Sequence, residues 1–408
     1  MSVGPGLDER KLLFLLGAVQ FVNVLDFMMV MPLGPDFARA LAMPTSALGL
    51  VGGSYTAAAA VSGLVGALFL DRFDRRKALF GALLGLVLAT AAGGLAFDLP
   101  SLLAARIAAG IFGGPATSLA YAVVADVVPV ERRGRAMGAI GSAFSLASVL
   151  GVPAGLELAR VGGWQLPFFA VAALGAAIAL AAYVAMPPLT GHLHAREPTQ
   201  ESAGLAAFLA NPTIVLSLAC TALATMSSFL LVPNISAYLQ LNLGYPRDRL
   251  GVLYLVGGTL TFVSTRVAGI MTDRIGAART VTLGCASFAL TLYLGFVAHT
   301  EALPVIATFV AFMVTSTFRY PPMHALSSRV PNGRERARFM SAQSAVQHLS
   351  SALGAMTAAR LLVTGPSGAL VGIEQVGWLA IVLTSSMPLL LYRVQARVDA
   401  PRPLAQAA

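Results

Sequence analysis

Cysteine, lysine and charged residues in general are scarce in this chain of 408 residues. The two cysteines, Cys220 and Cys285, lie inside apolar runs without other metal-ligating residues beside them, which excludes a disulfide framework and a structural zinc site. The two lysines, Lys11 and Lys77, each follow an arginine, so a Gly-Lys phosphate loop, and ATP drive through one, are excluded. His-Glu-x-x-His, Gly-x-Ser-x-Gly and Cys-x-x-Cys sequences are also absent. We therefore expect no catalytic residues, no cofactor and no metal, and we predict that the chain is not an enzyme.

The shortage of charge also excludes a water-solvated fold of this size. A soluble domain carries about 25% charged residues, whereas charged residues make up 11% of this chain and hydrophobic residues 57%. A membrane-spanning helix needs about 20 mostly apolar residues, and the short alternating segments of a transmembrane β-barrel are missing. We predict an all-α polytopic membrane protein with twelve spans, at residues 12–33, 46–70, 78–97, 100–128, 136–159, 163–186, 211–238, 250–271, 280–298, 303–326, 340–363 and 371–392.

The net charge of +9 resembles a nucleic-acid signal until its distribution is considered. Nineteen of the 27 Lys and Arg residues fall in the two termini and in the loops on the same side of the predicted bundle, and four fall in the opposite loops. Because positively charged loops stay in the cytoplasm, both termini are expected there. We predict a multi-pass protein of a bacterial inner membrane, embedded in the lipid bilayer, with no nucleic-acid partner. The first span is expected to be retained, because Asp26 interrupts any signal-peptide pattern.

The two halves of the chain repeat each other at a nearly fixed offset. Asp71-Arg72 recurs as Asp273-Arg274, and Val128-Pro129 recurs as Val330-Pro331, in both cases 202 residues later. Internal repeats of this kind are typical of transporters whose substrate site lies between the repeats near the membrane midplane. We predict a six-helix bundle over residues 1–186, a cytoplasmic interdomain loop over 187–210, a second six-helix bundle over 211–395 and a tail over 396–408.

Asp26 and Arg106 are the first candidates for chemistry. A charge at the centre of a membrane helix costs about 2.5–3.5 kcal/mol on insertion scales, so it persists only with a partner, a wet cavity or a function. Asp26 lies seven residues before Leu33 and Arg106 lies six residues after Pro100, so both are expected at about 10 Å below the same surface. We predict that they pair and that Asp26 carries a proton. The alternative is a purely structural ion pair.

Four segments carry a family resemblance. The loop Asp71–Lys77 resembles the signature that follows helix 2 in the major facilitator superfamily, although Asp74 stands where the family has a glycine. Arg106-x-x-x-Gly110 is similar to the helix 4 pattern of that family. Gly151-Val152-Pro153-Ala154-Gly155 and Leu25-Asp26-Phe27 resemble motifs of its drug:proton antiporter branch, of the arabinose-efflux-permease type.

The resemblance implies a twelve-helix fold of two pseudo-symmetric bundles and a proton-coupled antiporter that exports a small organic molecule by alternating access. The expected partners are a small-molecule substrate and protons, and the functional unit is expected to be a monomer. A uniporter or a proton symporter on the same fold, a lipid translocator and a non-transporting membrane sensor remain alternatives. The substrate class stays open between drugs, sugars and other metabolites.

In this superfamily helices 1, 4, 7 and 10 typically line the cavity, and each carries polar residues here. Rows of polar residues on a membrane helix either contact a substrate or hold neighbouring helices together, and both interpretations stay open. Arg319 is either a second functional charge or a side chain that snorkels towards the cytoplasm. The candidate cavity residues are Gln20, Asn23, Thr117, Tyr121, Thr221, Thr225, Ser228, Ser316, Arg319 and Tyr320.

The resemblance also implies a cytoplasmic latch made of Asp71, Arg72, Arg75 and Asp126. Asp71 would face the N-terminus of helix 11, where the helix dipole favours an anion, and Arg75 would pair with Asp126. Such a latch would stabilise the outward-open state. The alternative is that these charges only anchor the topology.

Gly151, Pro153 and Gly155 in helix 5 match the antiporter motif of the family, which implies a hinge or a seal against leak. Small residues at these spacings also allow ordinary close packing of helices. Both interpretations remain open.

Overall fold

The computed structural model describes residues 9–190, 208, 210–298, 304–331 and 336–400. The first half of the chain forms six helical segments. They are α1 (Glu9–Val30), α2 (Leu48–Phe69), α3 (Arg75–Gly94), α4 (Leu99–Val127), α5 and α6 (Gln165–Ala185). Segment α5 consists of Val130–Gly141, Ala143–Leu146, a π-helical turn over Ala147–Gly151, and Val152–Gly162. A short helix, Gly34–Ala40, lies between α1 and α2.

The second half repeats this arrangement with more interruptions. Its segments are α7 (Pro212–Phe229, followed by short turns over Val232–Asn234, Ile235–Ala237 and Tyr238–Asn242), α8 (Leu250–Ile275), α9 (Ala277–Leu292, continued by Tyr293–Val297), α10 (Val305–Phe318 and Tyr320–Ser327), α11 (Arg336–Leu361) and α12 (Ile373–Asp399). Strands β1 (Val363–Thr364) and β2 (Leu370–Val371) form an antiparallel hairpin between α11 and α12.

The predicted twelve helical segments are therefore present in the described residues, and ten of them are long and apolar enough to cross a membrane. The other two are α10, which is divided at Arg319, and α11, which is more polar. The sequence predicted neither the hairpin nor the short helix before α2. Most of the predicted interdomain loop, and the end of the predicted tail, lie outside the described residues, so the domain boundaries stay a prediction.

Two predicted spans are broken where proline occurs. In α7 the regular helix ends at Phe229, four residues before Pro233, and in α10 it ends at Phe318, before Pro321 and Pro322. Proline lacks the amide hydrogen that a helix interior needs, and its ring clashes with the preceding turn. The interruptions place Asn234 and Arg319 next to irregular backbone inside the bundle.

The start of α3 explains the residue that departs from the family loop signature. The Asp74 carboxylate accepts hydrogen bonds from the backbone amides of Arg76 and Leu189, both at 2.9 Å. Asp74 is thus the N-cap of α3, a position that aspartate favours because its side chain satisfies a free amide of the first turn.

The two sides of the bundle can be defined by their loops. We call the side on which Glu9 and Asp399 lie the terminal side, because Glu9 pairs with Arg132 and Asp399 pairs with Arg329 there. We call the opposite side, which carries the α1–α2 loop, the distal side. Each half packs internally, and α2 contacts α11 while α5 contacts α8 across the boundary between the halves.

The distal side is closed by polar contacts between the halves. Arg247, before α8, binds Asp36, after α1, with its Nε 2.8 Å from Oδ2. The Ser236 hydroxyl donates to the backbone carbonyl of Pro32 at 2.8 Å. Thr45 donates to the carbonyl of Gly368 in the α11–α12 hairpin, also at 2.8 Å. The structure therefore represents a conformation sealed on the distal side.

Candidate functional site: two buried arginines

Asp26 and Arg106 form an ion pair inside the first six-helix bundle. The Arg106 Nη1 atom lies 3.0 Å from Asp26 Oδ2, and the two residues are 0% and 1% exposed. Thr90 of α3 donates a hydrogen bond to the other carboxylate oxygen at 2.7 Å. The pair expected from the equal depth of the two residues is thus present in the structure. Its role in carrying a proton stays a prediction.

The guanidinium of Arg106 is held only partly by hydrogen bonds. Its Cζ atom lies 4.6 Å from the centroid of the Tyr55 ring of α2, a cation–π contact, and its Nε atom has no hydrogen-bond partner among the described residues. A buried donor without a partner is costly, so this arrangement leaves Arg106 with an unused donor that another group could satisfy.

Asn23 connects the ion pair to the predicted cavity residues of α4. Its Oδ1 accepts a hydrogen bond from the Tyr55 hydroxyl at 2.9 Å, and its Nδ2 donates to the Gly113 carbonyl at 3.0 Å and to Thr117. Tyr121 lies one turn further along α4 and is half-buried. Gln20, two helical turns before Phe27, is 8% exposed, and its Oε1 has no partner among the described residues.

Arg319 is the buried arginine of the second half. It is 0% exposed, so its side chain does not snorkel to the surface in this conformation. Its ring contact is with Phe288 of α9, whose centroid lies 4.1 Å from Cζ. No ion pair of Arg319 occurs among the described residues. Its five N–H donors instead meet five neutral acceptors: the hydroxyls of Ser227 (3.1 Å), Ser228 (2.7 Å) and Thr384 (2.7 Å), and the carbonyls of Ala224 (3.4 Å) and Ser316 (3.3 Å).

Some of the remaining candidate residues on α7 and α10 have hydrogen-bond partners, and one has none among the described residues. Gln343 of α11 donates to Thr221 at 3.1 Å and lies 3.4 Å from Nδ1 of His324. Tyr320 donates to the Ala224 carbonyl at 3.4 Å. The hydroxyl of Thr225 is fully buried and has no partner among the described residues. Thr225 therefore resembles Gln20 in offering a free polar atom inside the bundle.

The predicted latch is described only in part. Arg75 Nε lies 3.2 Å from Asp126 Oδ2, so these two residues pair at the terminal side, between α3 and α4. Arg72 is exposed. The side chain of Asp71 and the chain just before α11 lie outside the described residues. Because the Arg75–Asp126 pair joins two helices of one half, and is present while the distal side is closed, it alone does not distinguish the transport states.

The helix 5 motif packs directly against α1. A Cβ atom added to Gly151 would lie 2.5 Å from Leu25 Cδ1, so a larger residue there would require the Leu25 side chain, one residue away from Asp26, to move. Gly155 faces Met29 at an ordinary contact distance. Pro153 follows the π-helical turn. The three helices α1, α5 and α6 line an open, mostly apolar cavity of about 270 Å³ beside this contact.

Sequence reasoning missed several residues that complete the two arginine sites. Thr90, Tyr55 and Thr384 come from α3, α2 and α12, which are not among the helices expected to line the cavity. The sequence offered only weak evidence that these residues contribute to the sites, because each is a single polar residue in an apolar helix. Only the rotation of each helix about its axis, which tertiary packing decides, directs these side chains inward.

The model of the Major Facilitator Superfamily matches residues 16–225 and 217–408. The chain belongs to this superfamily. The predicted fold class, with twelve helices in the major facilitator arrangement, is confirmed, and the protein is an integral membrane protein of a transporter family.

Relatives include efflux proteins. A chloramphenicol resistance protein of Streptomyces lividans is 26% identical over 269 residues, which are 63% of this chain and 65% of that protein. A probable sugar efflux transporter of Pasteurella multocida is 28% identical over 180 residues, 44% of each chain. The matched stretches thus span less than two thirds of these relatives.

A solved structure supports the fold over nearly the whole chain. The crystal structure of a D-xylose-proton symporter has a TM-score of 0.76 and 16% sequence identity, and it covers 96% of this chain and 99% of that chain. At this identity the likeness concerns the fold alone.

Proposed function

We propose that the protein is a proton-coupled antiporter that exports a small organic molecule by alternating access, with Asp26 as the proton carrier and Arg106 as its counter-ion. The observation that carries the proposal is the ion pair itself: both charges are buried inside membrane helices and contact each other at 3.0 Å. Burial and an adjacent arginine act in opposite directions on the proton affinity of a carboxyl group, so a small change in either can load or release a proton.

Three further features support the proposal. Arg106 keeps one unused donor, its Nε atom, so a substrate acceptor can bind the guanidinium and weaken its contact with Asp26. The relatives include proteins named for chloramphenicol resistance and sugar efflux, and export is the direction that those names describe. The free polar atoms of Gln20 and Thr225 supply hydrogen-bonding groups for a substrate within the bundle.

We extend the proposal to placement and assembly. The concentration of Lys and Arg in the termini and their neighbouring loops supports a cytoplasmic terminal side in a bacterial inner membrane. A monomer contains both halves of the cavity, so no second chain is needed to complete the site.

Transport into everted membrane vesicles tests the proposal, with chloramphenicol and then a neutral sugar as probes. We expect uptake driven by an imposed pH gradient, and we expect Asp26→Asn to lower it at least tenfold. Glu157→Gln is the matched control, because it removes a carboxylate from the exposed Glu157–Arg160 pair and should leave uptake unchanged. Unchanged gradient-driven uptake by Asp26→Asn would refute the proton role.

The same assay separates the alternatives. A uniporter equilibrates the probe regardless of the pH gradient, and a proton symporter moves probe and protons in the same direction. Release of protons on addition of the probe indicates antiport, whereas a non-transporting sensor gives no flux.

A further inference from the structure

Phe27, the residue after Asp26, lies at the contact between the two halves of the bundle. Its ring centroid is 6.0 Å from that of Phe229 in α7, with the planes 25° apart. On its other side it stacks on Tyr55 of α2, with centroids 5.2 Å apart and planes 30° apart. One aromatic side chain therefore contacts both α2 of its own half and α7 of the opposite half.

Tyr55 connects this aromatic contact to the ion pair. The same ring that stacks on Phe27 carries Arg106 over its face at 4.6 Å, and Arg106 binds Asp26. Since Asp26 and Phe27 are adjacent in the chain, the contacts form a closed ring: Asp26, Arg106, Tyr55, Phe27. The Tyr55 hydroxyl also donates a hydrogen bond to Asn23 at 2.9 Å.

The Phe27–Phe229 contact separates two groups of unsatisfied polar atoms. Gln20 lies seven residues before Phe27, about 10 Å towards the terminal side on the same helix face, and Thr225 lies four residues before Phe229, about 6 Å in that direction. Asn234 follows Phe229 towards the closed distal side, is fully buried, and has neither side-chain atom bonded among the described residues. The aromatic pair thus lies between a terminal-side polar region and a distal one.

We propose that Phe27 and Phe229 form the inner gate of the distal pathway, and that Tyr55 is the positioning residue that keeps this gate closed while Asp26 and Arg106 are paired. The proposal rests on the proposed function and adds the mechanical link that it lacks. Protonation of Asp26, or a substrate that draws Arg106 away, releases Arg106 from its place over Tyr55. Tyr55 then no longer holds Phe27 against Phe229.

The link between the ion pair and the aromatic gate accounts for the exchange of protons for substrate. An antiporter must prevent the empty, deprotonated carrier from changing sides, since that step wastes the gradient. The structure has its ion pair formed and is sealed on the distal side, which is the combination that the link predicts for the locked carrier. Either a proton or a substrate unlocks it.

Few titratable groups among the described residues lie close enough to Asp26 to affect the pH response of the gate. Among the described residues, the titratable side chains at this site are Arg106 of α4, which binds Asp26, and Tyr55 of α2, which lies against Arg106; α3 contributes the neutral Thr90. Helices α5 and α6 approach α1 through Gly151 and Gly175, which face Leu25 and Val22, and α7 contributes Phe229. The pH response of the gate is therefore assigned to Asp26.

A spin-label distance measurement tests the link without a known substrate. Labels go on Phe97→Cys and Val363→Cys, which are exposed on the distal side of the two halves at 79% and 61%, while the native cysteines are buried. In lipid nanodiscs the parent should give one short distance at pH 8 and gain a longer one at pH 5. Tyr55→Leu should show the longer distance already at pH 8, with at least a fivefold larger population than the parent.

Three further variants make the outcome decisive. Tyr55→Phe keeps the ring and should retain the pH response. Tyr254→Leu removes a buried tyrosine ring packed on Phe309, away from the ion pair, and should also respond as the parent does. Phe229→Leu removes the other side of the gate and replaces Tyr55→Leu as the test if that variant does not fold.

A parent-like response in Tyr55→Leu, or a parent with no pH response, overturns the inference. Asp26→Asn in the same labelled background separates this failure from that of the proposed function. If Asp26→Asn abolishes the response while Tyr55→Leu preserves it, the proton carrier stands and the link falls. If Asp26→Asn responds to pH as the parent does, the proposed function falls.

Discussion

Arg106 and Arg319 lie in equivalent helices of the two halves, α4 and α10, but their charges are handled in opposite ways. Arg106 faces a carboxylate, has one donor without a partner, and lies over a tyrosine ring. Arg319 faces no carboxylate among the described residues, and neutral oxygens occupy all its donors. The first arrangement balances charge with few directional bonds, so it can be rearranged by one proton. The second fixes its side chain in place.

The internal repeat shows which residues differ between the two arginine sites at equivalent positions of the two halves. An offset of 202 residues relates Asp26 to Ser228, and Thr117 to Arg319. The second half thus has a hydroxyl where the first has the carboxylate, and an arginine where the first has a hydroxyl. We infer that the first half carries the titrating centre and that the second half supplies a rigid counterpart.

Removal of each arginine should give the largest contrast. Arg106→Met leaves the Asp26 carboxylate buried without a counter-ion, which costs about 3–5 kcal/mol of unfolding free energy. Arg319→Met leaves hydroxyls that can rotate towards other acceptors, and the loss should be about 1–2 kcal/mol. Denaturant titration in detergent at pH 7.5 measures both, and the Asp26→Asn/Arg106→Met double variant should recover most of the first loss. Equal losses would contradict the comparison.

Substitution by lysine should reverse the order of the two stability losses, so that the change at Arg319 costs more than the change at Arg106. Lysine keeps the buried charge that methionine removes, but it has three donors and no planar fork. Arg319→Lys therefore loses at least two of five hydrogen bonds to a charge that stays buried, at a cost of about 1.5–3 kcal/mol. Arg106→Lys keeps one donor for Asp26 and a cation near Tyr55, so its cost should be smaller than that of Arg319→Lys. The same titration decides the point, and the inference of a rigid second site fails if Arg319→Lys is the milder change.

The smallest effects should come from the threonines that bind each centre. Thr90→Val and Thr384→Val each remove one hydroxyl and should each cost about 1 kcal/mol of stability. Only Thr90→Val should move the pH profile of transport, because the charged form of Asp26 loses a donor. A shift of similar size in Thr384→Val would mean that the second half also titrates.

Much of the architecture could be predicted from the sequence because the membrane imposes simple rules. A run of apolar residues marks a span, and equal depth sufficed to bring Asp26 and Arg106 together. Proline residues in the sequence indicated the helix breaks near Pro233 and at Arg319. A proline within a long apolar run does not, however, determine whether the helix bends or ends there.

The rest of the site depends on helix rotation and on contacts between distant segments. Nothing in the sequence around Tyr55 says that its ring lies between Arg106 and Phe27, because that requires α1, α2 and α4 to meet with one particular set of faces. The bond between Arg319 and Thr384 likewise joins helices far apart in the chain. Short irregular elements such as the β1–β2 hairpin are too small to leave a hydrophobic pattern.

That hairpin gives the transport cycle a point of control outside the substrate pathway. It belongs to the second half, yet Thr45 and Ser46 of the first half bind it through Gly368 and Thr364. The distal side cannot open without breaking these bonds. A nanobody or macrocycle that clamps the hairpin to the α1–α2 loop would arrest transport without entering the cavity, so inhibition there would not compete with substrate.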